Sequence, residues 1–63
     1  MLKMIELIGC SQKGYSEAVK EAVDHLMNSG ERVHFFEVIE QRGAVRESKL
    51  EYQAKIKVAV ESK

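Results

Sequence analysis

Few residues in this 63-residue chain are equipped for chemistry. Its one cysteine, Cys10, and its two histidines, His25 and His34, lie apart, without the spacing of a zinc site. Cys10 has no base beside it in the sequence, which argues against a nucleophile. His34 sits in an apolar run and reads as a partly buried packing residue, and His25, next to Leu26 on a helix, reads as exposed. Glu37 and Lys55 read as a structural charge pair between strands, not as an acid–base couple. Arg46 and Lys49 fall in a connection where they could meet a phosphate, although charges in a turn are usually solvated. No catalytic constellation emerges, no metal site is expected, and the chain is not expected to be an enzyme. Binding chemistry is what remains. Phe35 offers a ring either to a flat ligand or to packing between copies of the chain. Gln53 offers an amide to a ligand or, on the residues alone, simply to water. Glu40 and Gln41 lie near a hairpin end, where they could line a pocket mouth.

These residues must be positioned by the elements around them. Arg32 to Gly43, RVHFFEVIEQRG, is rich in β-branched and aromatic residues, lacks proline, and is expected to be a strand. Alternation puts His34, Phe36, Val38 and Glu40 on one face and Val33, Phe35, Glu37, Ile39 and Gln41 on the other. Both faces are apolar, and so short a chain has one layer to cover them. Leu2 to Ile8 is expected to be a further strand, with Lys3, Ile5 and Leu7 on one side and Leu2, Met4, Glu6 and Ile8 on the other. A loop, GCSQKG, follows it.

From Tyr15 to Met27 the spacing changes. Tyr15, Ala18, Val19, Ala22, Val23, Leu26 and Met27 make one stripe at helical period, opposite Ser16, Glu17, Lys20, Glu21 and Asp24. Gly14 stands at the N-cap, and Gly30 is placed to end the helix in the left-handed conformation. After a polar connection, GAVRESK, the residues Leu50, Tyr52, Ala54, Ile56, Val58 and Val60 alternate with Glu51, Gln53, Lys55, Lys57, Ala59 and Glu61. That is a strand with one apolar and one polar face. The order is β-α-β-β, with the last two strands an antiparallel hairpin and the helix across one sheet face. Phe36, Val38, Tyr52, Ala54 and Ile56 are expected under the helix, with Phe35 and Gln53 together on the outward side. A hairpin register centred near Arg46 sets Ile39 opposite Gln53 and Glu37 opposite Lys55, unless a bulge shifts the partners.

Composition bounds the rest. Residues 1–63 are expected to form one domain, too small to bury more than about 60% of its unfolded surface. With no disulfide possible and no metal site, self-association is the remaining stabilising device. Ten basic and ten acidic residues balance to zero and are interspersed, which argues against nucleic-acid and membrane-surface partners. No signal peptide or membrane span is read, and a lone thiol fits a cytoplasmic setting.

Taken in order, IGCSQKGYSEAVKEAV leading into the helix, the FFEVIEQRG strand and the closing YQAKIKV strand resemble the dodecins over essentially the whole chain. The resemblance implies an α+β fold, a three-stranded antiparallel sheet wrapped around one helix, with the chains assembling into a hollow dodecameric shell. It implies a homododecamer of flavin-binding chains that stores or buffers riboflavin or its phosphate FMN at subunit interfaces, without catalysis. Some members bind coenzyme A, so a shell holding coenzyme A or ions in place of flavin is the alternative. Phe35 stands where the family usually has a tryptophan stacked on the isoalloxazine ring. Tyr52 and Gln53 match a tyrosine–glutamine pair whose amide hydrogen-bonds the flavin edge. Phe35 and Gln53, with Glu40, Gln41 and Arg46, make the expected cofactor-binding set, while Tyr52 is expected in the core.

Overall fold

The alternating segment near the C-terminus becomes the centre of the molecule. In the computed structural model, which describes residues 1–62, β3 (Lys49–Glu61) lies between β1 (Leu2–Ser11) and β2 (Val33–Arg46), antiparallel to both. Helix α1 (Tyr15–Asn28) crosses one face of this sheet. On that inner face Ala54, Ile56, Val58 and Val60 are fully buried, and Ala18, Ala22 and Leu26 of the helix close over them. Burying each of the larger side chains stabilises the fold by about 1.5–3 kcal/mol. Ile5, Leu7, Val19, Val23 and Val33 complete the cluster from its margins.

One glycine sets how closely the layers approach. A Cβ at Gly9 would lie 1.9 Å from the carbonyl oxygen of Ala18, so only a residue without a side chain lets α1 rest on β1. At its other end α1 closes in a Schellman motif. Gly30 has φ 88°, its N–H donates to the Met27 carbonyl at 3.0 Å, and the Glu31 N–H donates to the Leu26 carbonyl at 3.1 Å.

Several expectations are corrected. The strands run further than the alternation suggested: β1 continues through Gly9 to Ser11 and β2 to Arg46. The connection between β2 and β3 is only Glu47 and Ser48, both at positive φ (51° and 63°), as a two-residue hairpin of the primed kind requires. The register therefore differs. Glu37 pairs with Lys57, not Lys55, and Gln53 with Arg42, not Ile39. Bulges at His34 and Ile39 reset the alternation of β2, because one extra residue turns every later side chain to the other face. Val33 thus faces the core with Val60, Glu40 turns outward, and Gln41 turns in toward the helix. His34 is exposed beside Glu61 (3.7 Å), not packed. Met27, at the end of the helical stripe, is half exposed.

The helix lies over β1 and β3 and touches β2 least. Phe36 and Val38 face the helix side as expected, yet they remain 48% and 41% exposed in the single chain. Tyr52 is partly buried against Tyr15, ring edge to face at 5.1 Å.

Candidate binding site

The outer sheet face, turned away from α1, gathers the side chains best suited to hold a ligand. Pairing across the three strands puts Met4, Ala59 and Phe35 in one row. Directly opposed side chains on a sheet lie about 4.5–5.5 Å apart, so the row is continuous. Ala59 is buried, while Met4 and Phe35 on either side stay about half exposed at 49% and 53%. The result is an apolar platform with an aromatic ring at its β2 edge.

Toward the hairpin the same face turns polar. Arg42 donates from Nε to Gln53 Oε1 at 2.6 Å, and Gln53 donates from Nε2 to Glu51 Oε1 at 2.7 Å. Glu40 lies 3.9 Å from the Arg42 guanidinium, and Arg46 lies 3.9 Å from Glu51. The chain Glu40–Arg42–Gln53–Glu51–Arg46 therefore fixes the Gln53 amide, with its oxygen toward the guanidinium and its nitrogen toward the carboxylate. At 3.9 Å, with both arginines exposed, these ion pairs add little stability. Their effect is orientational, and the Gln53 NH₂ keeps one donor for another acceptor. Cys10 is the β1 partner of Gln53. Burial pushes its thiol pKa up, with Glu51 and Glu21 adding to the effect, so the group stays a neutral thiol and not a nucleophile.

The expected site residues divide as follows. Phe35, Gln53, Glu40 and Arg46 share the outer face. Gln41 does not: it lines an open groove of about 310 Å³ on the helix side, with Tyr15, Ser16, Val19, Phe36 and Val38. Even the residues that share a face do not meet in one chain. Phe35 pairs with Ala59 and Arg42 with Gln53, so the ring and the amide stand six residues apart along β3, about 20 Å at the rise of a strand. A flat three-ring ligand touching both needs Phe35 from one chain and Gln53 from another.

Arg42, Glu51 and Met4 were missed by sequence reasoning. Glu51 and Gln53 share a polar face at i, i+2, which was a usable signal. Arg42 meets Gln53 because the turn is only Glu47 and Ser48, and it shares a face with Phe35 only because of the bulge at Ile39; Met4 joins only because β1 pairs with β3. A larger recess of about 930 Å³ opens at the C-terminal end of α1. It is a weaker candidate, because no aromatic ring lines it and its Arg32 is already paired to Glu61 at 2.9 Å. Among the described residues no group of histidine, cysteine, aspartate or glutamate could hold a metal ion within one chain, and no helix is long and apolar enough to cross a membrane.

Comparison with known proteins agrees with this architecture. The Dodecin family model matches residues 1–62. A Thermus thermophilus dodecin mutant with phenylalanine in place of a tryptophan is 31% identical, with a TM-score of 0.89, covering 100% of this chain and 96% of the other. An arginine-to-alanine mutant of the same protein is 28% identical, with TM-score 0.89 and the same coverage. The calcium dodecin of Mycobacterium tuberculosis, described with a novel calcium-binding site, is 31% identical, with TM-score 0.90, covering 100% and 91% of the two chains. None of the curated proteins compared matches the chain significantly in sequence.

Proposed function

The chain belongs to the dodecin family, small binding proteins whose fold implies oligomeric assembly, and we propose that it is a non-enzymatic flavin-binding and storage protein. In this reading twelve copies, folded as single domains, close into a hollow cytoplasmic shell that holds riboflavin or FMN between subunits. The observation that carries it is the outer face. Phe35, Met4 and Ala59 form an apolar platform for a flat ring system, and Arg42 and Glu51 hold the Gln53 amide ready to meet a polar edge. The distance between them supports a site completed by a second chain. The residues fit a flavin: the ring stacks on Phe35, a carbonyl of its polar edge accepts from Gln53, and Arg46 and Arg42 face an attached phosphate. The bound flavin would supply only its own light absorption and redox character. The two Thermus thermophilus mutants are consistent with this set, since the mutated tryptophan and arginine are seven residues apart, as are Phe35 and Arg42.

Similarity to a calcium dodecin favours a second reading, a shell that holds ions or another small molecule such as coenzyme A. For ions, carboxylates from several chains, Glu40 and Glu51 among them, would have to converge on a symmetry axis. Ultrafiltration of the purified assembly with riboflavin or FMN separates the two readings. Flavin retained by the protein, and lost in Phe35→Ala, supports storage; flavin passing freely through the membrane, with calcium or coenzyme A retained, supports the second.

A further inference from the structure

The flavin reading has a consequence that depends on which rings the outer face lacks. The chain contains no tryptophan, and its four aromatic side chains are Tyr15, Phe35, Phe36 and Tyr52. Both tyrosines lie on the helix side, packed ring edge to face at 5.1 Å, with the full sheet between them and Phe35. An indole or phenol ring touching an excited flavin quenches it by lending an electron that then returns. A phenyl ring is far too hard to oxidise to do so. The one thiol on the outer face, Cys10, lies beside Gln53 at the polar end, and burial together with Glu51 keeps it in the less readily oxidised protonated form.

We propose, resting on the flavin site described above, that Phe35 makes that site an optically inert cradle: flavin held there keeps its fluorescence and its photochemical reactivity. Phe35 is in this sense the residue that separates holding a flavin from shielding it against light. Storage by this chain then limits the free concentration of flavin without protecting the molecule from illumination.

The test uses the assembled protein with riboflavin far below the chain concentration, so that bound flavins do not neighbour and quench one another. Ultrafiltration and steady-state anisotropy report binding, and the fluorescence lifetime reports quenching. The expected result is retained flavin with raised anisotropy and the greater part of its lifetime intact, and a Phe35→Trp protein that retains flavin while losing nearly all emission. Retained flavin whose emission collapses in the unaltered protein overturns the inference and leaves the flavin site standing. A Phe35→Trp protein that binds flavin with unchanged lifetime also overturns it, because the ring then lies elsewhere. Flavin that is not retained at all overturns the flavin reading itself, and this inference with it.

Discussion

At the scale of single residues, the fold depends on contacts too close to tolerate an added atom, and the candidate site depends on which way a side chain points. Gly9 is the sharpest case of the first. A methyl group there would meet the backbone of Ala18 at 1.9 Å, and a backbone carbonyl cannot swing aside as a flexible side chain can. Gly9→Ala should therefore push α1 off β1 and cost about 1–3 kcal/mol or more. Thermal unfolding checks this, and an unchanged midpoint would mean that helix and strand stand further apart. Phe35 and Gln53 could be placed on one face from the sequence, because grouping Phe36 and Val38 with Tyr52, Ala54 and Ile56 under the helix leaves both on the other side. Glu40 and Gln41 could not. Nothing in FFEVIEQRG marks Ile39 as the extra residue, and the bulge there decides which of the two looks outward.

At the scale of elements, the helix was legible because seven apolar positions at helical spacing leave no competing period, and Gly30 ends it as its freedom at positive φ allows. The hairpin was less so. Glu47 and Ser48 carry none of the Asn-Gly or Asp-Gly signature of a two-residue turn, so the sequence pattern ends β2 at Gly43, three residues short of Arg46. They adopt positive φ because the long β2–β3 ladder on either side over-determines the turn. Relieving that strain should stabilise the protein. Ser48→Gly is expected to gain about 1 kcal/mol, from the roughly 1–2 kcal/mol that a left-handed conformation costs an ordinary residue. Urea unfolding measures it, and a loss of stability would show that Ser48 is not strained at φ 63°.

At the scale of the whole molecule, the single chain leaves apolar groups on both faces of β2: Phe35 outside, and Phe36 and Val38 on the helix side, where α1 covers them only in part. The sequence announced this shortage of cover, since one helix cannot shield a strand that is apolar on both sides. Where the uncovered part would lie could not be read, because it depends on β1 and not β2 lying closest beneath α1. So small a core makes folding and association interdependent. Val58→Asp, which puts a carboxylate into the fully buried centre of the sheet, should abolish the folded chain and the assembly together. Light scattering with circular dichroism would contradict this if it found a folded monomer. The central claim, that chains assemble to complete flavin sites between them, is tested most directly by calorimetric titration of riboflavin and FMN into a particle of mass known from light scattering. The account predicts a twelve-subunit particle that takes up flavin at a fixed stoichiometry and weakens in both Phe35→Ala and Gln53→Ala. A twelve-subunit particle that takes up no flavin, or a monomer that binds it fully, would contradict the claim.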